Sequence, residues 1–285
     1  LLGEILEFKK PQKLLVLSDT HLSQESGQKQ HDLVAAISDE IWDEQPDHVA
    51  HLGDLGDFPG LLEYRGSTLA GGDGRDENLD LVGDFEAFKS GLAALKRRFN
   101  FEKERNRKNR RNDRTPNIQW HMMFGNHENK IFELAAKYKV LRRLPYLPEF
   151  NLSQMCLDEG WTPYPFLEPL TINGLTMQHY FQGLNKKVAL GMASVRRENG
   201  GSSLFGHTHR QEVINWNDPH MRSRHIINTG CTIHPDSLVK MKARHARSGI
   251  LIIENLEDGM FTHRWIPSEI LLRKYYEKNG GLLAA

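Results

Sequence analysis

Five short apolar stretches in this 285-residue chain lead straight into polar clusters, and that recurrence restricts the fold more than any other feature. Lys13 to Ser18 runs into Asp19-Thr20-His21, and Val49 to Leu52 into Gly53-Asp54-Leu55-Gly56-Asp57. Ile118 to Phe124 runs into Gly125-Asn126-His127-Glu128, the stretch ending at Met177 into His179, and Ser203 to Phe205 into Gly206-His207-Thr208-His209. Short apolar runs of this kind read as buried strands. A helical pattern from about His31 to Trp42, with Leu33, Ala36, Ile37 and Ile41 on one face, separates the first two. Strands alternating with helices predict an α/β fold. In an open α/β sheet the carboxyl ends of neighbouring strands share one edge, where ligands bind. Five clusters far apart in sequence can therefore converge there.

Between the second and third strands lies a long interruption. It opens on a Gly-rich stretch, Pro59 to Asn78, expected to be an irregular loop. Leu81, Phe85, Phe88, Leu92, Leu95 and Phe99 then recur at helical steps and give one apolar seam over about 81–99. A core-facing helix is the simpler reading of that seam, and a dimer contact the other. From Lys96 to Arg114, ten basic residues accompany three acidic ones, which reads as a solvated helix end or as a strip for phosphate backbone. Downstream, Leu170 to Met177 alternates around Asn173-Gly174, a hairpin signal. Lys187 to Arg197 has helical character, and further strands are expected around Val213, Ile226, Ile250 to Ile253 and Phe261 to Trp265. Ser268 is expected to cap a final helix. No repeat or clean linker appears, so a single domain over 1–285 with an insertion at about 58–117 is the simplest organisation.

Charge excludes little but is informative. Lys and Arg balance Asp and Glu at 37 each, so no global attraction to nucleic acid or to an anionic membrane is encoded. Cys156 and Cys231 have no CxxC partner and read as buried thiols in a reducing compartment. No apolar run approaches the ~20 residues that cross a bilayer. The start, Leu1 to Leu6, is too short and acidic for a signal peptide, although it lacks Met and is consistent with a trimmed terminus. A cytoplasmic location without membrane contact is the expectation.

Each polar cluster alone has an ordinary explanation. Asp19-Thr20-His21 suits a helix cap, Gly53-Asp54 a turn, Asn126 to Glu128 a helix start, and His179 a half-buried histidine. Gly206-His207-Thr208-His209 is harder to explain without a purpose. Together they supply Asp and Asn oxygens and His nitrogens, a fairly hard set suited to Mn²⁺, Fe or Zn²⁺ and free of the thiolates of structural zinc. Alternation along extended backbone is expected to aim Asp19 with His21, and His207 with His209, the same way. Gly53, Gly125 and Gly206 are expected to let each strand end turn sharply.

In this order, the clusters resemble the signature of the calcineurin-like metallophosphoesterases: D-x-H, G-D-x-x-D, G-N-H-E, a lone H, and G-H-x-H. The resemblance implies a four-layer α/β/β/α sandwich, two facing mixed sheets flanked by helices with the metals at the sheet edge. It implies one metal held by Asp19, His21, Asp54 and His209, and a second held by Asp54, Asn126, His179 and His207, with Asp54 as the bridge. His127 would stand beside the metals, oriented by Asp57, and protonate the leaving oxygen; Glu128 would be structural. One departure is Tyr180, where the family usually places Gly after the lone histidine. Two divalent ions, Mn²⁺ foremost and Fe, Zn²⁺ or Ni²⁺ as alternatives, would share a hydroxide that attacks phosphorus.

The motifs leave the substrate open. Nucleotides or nucleic acid, as mono- or diesters, are the first expectation. A Ser/Thr protein phosphatase is the alternative that Gly-Asn-His-Glu encourages, and a non-catalytic metal-binding scaffold is the alternative from another class. Arg196 and Arg197 are candidate clamps for a second phosphate, although solvated helix charges are the simpler reading.

Overall fold

The structure is a computed structural model in which residues 11–61, 81–108, 115–182, 195–196 and 200–280 are described. Two mixed sheets face each other. The first contains β1 (Gln12–Leu17), β2 (His48–His51), β3 (Gln119–Met123) and β4 (Thr162–Tyr164), all parallel, with β10 (Gly249–Glu257) antiparallel beside β1 and β11 (Met260–Pro267) antiparallel to β10 at the edge. The second runs β5 (Leu170–Ile172), β6 (Leu175–Met177), β7 (Ser202–Phe205), β9 (Ser223–Thr229), β8 (Gln211–Asn217), with β6, β7 and β9 parallel. Helices flank the pair: α1 (Gln28–Glu44), α2 (Leu81–Leu95), α3 (Arg97–Lys108), α4 (Asn126–Lys137), α5 (Leu152–Asp158), α6 (Pro235–Lys240) and α7 (Ser268–Lys278).

The β1 sequence shows why the layers stack. Leu15 and Leu17 point out to the helices, packing with Leu33, Ile37 and Ile41 of α1 and Phe85, Phe88 and Leu92 of α2. Leu14 and Val16 point the other way, meeting Leu175, Met177, Leu204 and Ile227 of the second sheet. A strand buried on both faces needs a continuous apolar run, and β1 has one. Behind the second sheet, Val195 packs with Phe181, Phe205 and Ile226. Among the described residues, no helix is long and apolar enough to cross a membrane.

Several expectations are refined. The 81–99 seam is broken at Lys96 into α2 and α3, and its Phe85, Phe88, Leu92 and Leu95 are buried in this chain's own core. The basic α3 is largely exposed, with Glu102 buried between Arg98 and Arg105, each 2.6 Å away. Asn173 and Gly174 take φ of 43° and 80°, the paired positive values of a tight hairpin turn. Ser268 does not cap the last helix: it is the first helical residue, and its hydroxyl pairs with that of Ser248 at 2.6 Å. The Gly-rich loop beyond Leu61, residues 109–114 and most of the expected helix at 187–197 lie outside the described residues.

Candidate metal centre

Because β1, β2 and β3 are parallel, their carboxyl ends lie at one edge, and Asp19, Asp54 and Asn126 follow within a few residues. The parallel β6 and β7 deliver His179 and His207 from the second sheet. The backbone at this edge is not extended. Asp19 (φ 53°), His21 (51°), Asp54 (54°), His207 (67°) and His209 (59°) all adopt the left-handed region, at about 1 kcal/mol or more each. Strand alternation therefore does not orient Asp-x-His and His-x-His; paired left-handed residues aim these side chains instead. Gly53 sits at φ 107°, which suits only glycine. Gly206 has a different reason: a Cβ there would fall on Ser18 Oγ and Asp19 Oδ2.

The seven motif donors fall into two groups, and a third, His21, Asp57 and His127, shares His21 with the first. In the first, His21 Nε2 and His209 Nε2 are 3.2 Å apart, with Asp19 Oδ1 3.3 Å from His209 Nε2 and 3.9 Å from His21 Nε2. In the second, His179 Nε2 lies 3.2 Å from Asp54 Oδ2 and 2.9 Å from Asn126 Oδ1, with the His207 ring 5.2 Å from that of His179. His207 and His209 thus serve different groups. Asp57 stands beside the first group: its Oδ1 is 3.2 Å from His21 Nδ1 and 3.3 Å from His127 Nδ1. The closest partner of His127 is the Asp57 backbone, whose carbonyl accepts from Nδ1 at 2.7 Å.

The electrostatics follow from carboxylates packed among imidazoles. Burial opposes ionisation of Asp19, but the close polar contact with the His209 ring and the nearby imidazoles win and hold its pKa down to about 2. Asp54 is lowered further, against burial, mainly by His179. Burial works against the His179 cation too, yet Asp54 raises it to about 9. His207 is pushed down, by burial first and His179 second. Beneath them Glu128, fully buried, accepts from Asp54 N (2.9 Å), Gly56 N (3.1 Å) and Gly125 N (2.8 Å), joining the loops after β2 and β3. Burial, then Asp54, pushes its pKa up to about 7.

The residues fit metal ions. Asp19 is 0% exposed; its Oδ2 accepts from Ser18 Oγ and His207 N, while its Oδ1 has no hydrogen-bond donor. A buried carboxylate oxygen without a donor is costly unless a cation completes it. Donors about 2.0 Å from one ion sit about 3.3 Å apart in a tetrahedron, close to two of the three spacings in the first group. Metal-binding histidines usually donate their other nitrogen to a carboxylate or carbonyl. His21 Nδ1 does so to Asp57, and His179 Nδ1 to Leu52 O at 3.0 Å.

Asp19, His21, Asp54, Asn126, His179, His207 and His209 are thus brought together, with Asp57 and His127 beside them. Arg196 is not: its guanidinium lies over Trp216, 5.0 Å from the ring centroid, five residues along β8 from the end nearest His209. Arg197 lies outside the described residues. Sequence reasoning passed over His51, which is fully buried. It accepts from Gly53 N at 3.2 Å and so donates through Nε2 to Thr20 Oγ1 at 2.8 Å, neutral because burial pushes its pKa down to about 3. A histidine inside the apolar run before Gly53 was the signal. Tyr180, the departure from the signature, packs its ring 4.9 Å from that of His207.

The calcineurin-like phosphoesterase family model matches residues 12–236. A crystal structure of TT1561 of Thermus thermophilus superimposes over 90% of this chain and 99% of that chain, at 8% identity and a TM-score of 0.41, too low to carry an argument. No curated protein matches the chain. With the family model spanning every residue of the two donor groups, the chain belongs to the calcineurin-like phosphoesterases.

Proposed function

We propose that this protein hydrolyses phosphate esters of nucleotides or nucleic acid at a dinuclear centre, with Mn²⁺ the first candidate and Fe, Zn²⁺ or Ni²⁺ the alternatives. Family membership implies metal-dependent phosphoester hydrolysis. The observation that carries the finer reading is the pair of donor groups at one sheet edge, with the donor-less Asp19 Oδ1 among them. Asp19, His21 and His209 would hold one ion, Asn126, His179 and His207 the other, and Asp54 both. When bound, the ions supply Lewis-acid polarisation of the phosphoryl group and acidify the attacking water.

The protein's own groups supply the rest. His127 donates Nδ1–H to the Asp57 carbonyl, which fixes the ring and leaves Nε2 to carry a proton to the leaving oxygen. The Asp57 carboxylate accepts from His21 Nδ1, so one residue orients both, the acid through its carbonyl and the metal ligand through its side chain. Glu128 holds the loops of Asp54 and Asn126 in register. Metal analysis combined with turnover of p-nitrophenyl phosphate, bis(p-nitrophenyl) phosphate and single-stranded DNA in Mn²⁺ tests this reading. Hydrolysis of at least one ester is expected; a fully metallated protein that cleaves none of them would overturn it.

A further inference from the structure

The segment joining α6 to β10 has no part in the donor groups, yet Lys240-Met241-Lys242-Ala243-Arg244-His245-Ala246-Arg247 carries four cations and no acid. All four are exposed, and none is ion-paired among the described residues. In a chain of zero formal charge this is a local concentration. Lys242, Arg244 and Arg247 line a groove of about 640 Å³ whose floor includes Leu238, Trp265 and Pro267, and Glu269 is the acid in its described wall. Trp265 is half-buried, its indole Nε1 donating to Thr229 O at 3.3 Å.

This groove is built onto the metal centre. Arg247 N donates to the backbone carbonyl of His209 at 2.8 Å, and Cys231 N donates to that of Arg247 at 2.9 Å. Ser237 and Met241 belong to a second cavity, of about 570 Å³, which reaches His21, Asp57, His127 and His209. The turn from α6 into Met241 is therefore a ridge with the metal centre on one side and the basic groove on the other. By contrast, the basic helix α3 leads into the amino end of β3, the opposite edge of the sheet.

We propose that this groove holds a single-stranded nucleic acid whose scissile phosphodiester lies in the cavity at the metal centre, an inference that rests on the phosphoesterase reading above. Flanking phosphates cross the ridge onto Lys242, Arg244 and Arg247, and Trp265 offers a stacking face. Cations with an aromatic platform are how sequence-tolerant single-strand sites are built, and only an unpaired base can use the ring.

The test is fluorescence anisotropy of the metal-loaded protein with a labelled phosphorothioate oligothymidylate, which resists hydrolysis and so separates binding from turnover. Each phosphate contact contributes about 0.7 to the slope of log K against log salt on a single strand. Lys242→Ala/Arg244→Ala should bind at least ~10-fold more weakly at low salt and flatten that slope by roughly 1.4. Trp265→Leu should weaken binding while leaving the slope unchanged, and thermal melting confirms that each variant is folded. The groove is refuted by a wild-type protein that fails to bind at low salt, or by a double variant that binds like wild type. It is refuted equally if phosphatidylserine vesicles, and not the oligonucleotide, respond to the double variant. Turnover of bis(p-nitrophenyl) phosphate is read separately: its absence would remove the phosphoesterase reading while strand binding stood.

Discussion

Glu128 offers the sharpest quantitative test of how the centre is held. Its carboxylate receives three backbone N–H groups, from Asp54, Gly56 and Gly125, and no part of it meets solvent. Glu128→Ala orphans all three donors at about 1–3 kcal/mol each, roughly 3–9 kcal/mol together. An offset comes from removing a buried carboxylate: the rise of its pKa from 4.5 to about 7 is worth roughly 3 kcal/mol at most. A net loss of roughly 0–6 kcal/mol follows, about 3 kcal/mol at its midpoint, against a typical total of ~5–15 kcal/mol. Glu128→Gln should behave differently. Its oxygen can take the two donors now on Oε2, leaving Gly56 N–H alone unpaired, and it carries no charge, so its loss should be about 1 kcal/mol or less at pH 8. The pH dependence has a definite sign. The folded pKa lies above the unfolded one, so the wild-type contribution is fully present below about pH 4.5 and is lost as pH climbs through about 7. Glu128→Gln should therefore gain on wild type between pH 5 and 8. Urea denaturation followed by circular dichroism, in chelator so that metal binding adds nothing, reads all of these. An alanine variant more stable than wild type, or a glutamine variant less stable than alanine, would refute the reasoning.

His127→Ala should retain its metal and lose roughly 10²–10⁴-fold in turnover, the usual scale for a general acid; metal loss measured by plasma mass spectrometry would show that His127 is a ligand instead. Asp54→Ala should bind substantially less than the wild-type complement of metal, because Asp54 Oδ2 faces His179 while Oδ1 accepts from His127 N; a fully loaded Asp54→Ala protein would remove its bridging role. Burial pushes the Cys231 thiol up to about 12 and Cys156 higher still, so neither should react with Ellman's reagent at pH 8 until the chain unfolds, when two thiols should appear. Rapid native reaction would contradict the packing around them.

Much of this architecture is legible along the chain because its causes are local. The apolar run of β1, the Leu33–Ile41 stripe of α1 and the Asn173-Gly174 turn each declare themselves within a dozen residues. The donor residues were legible too, since each motif adjoins a strand end. Other features were decided by contacts between segments. Whether the Phe85–Leu95 seam faces a partner or its own sheet depends on what packs there, and β1 with α1 takes it. Ser268 reads as a cap until Ser248, brought in by β10, claims its hydroxyl. Periodicity could not show that Asp19, His21, Asp54, His207 and His209 hold left-handed backbone, because that strain persists only where the surrounding structure enforces it. The basic turn after α6 looks like any solvated loop in one dimension. The hydrogen bond from Arg247 N to the His209 carbonyl and the cavity that Met241 shares with His209 set it against the centre. Sequence thus determined which donors exist and which strand ends carry them. Tertiary structure alone decided how those donors divide into two groups and what surface adjoins them, because both depend on close approach between segments nearly two hundred residues apart, such as Asp19 and His209.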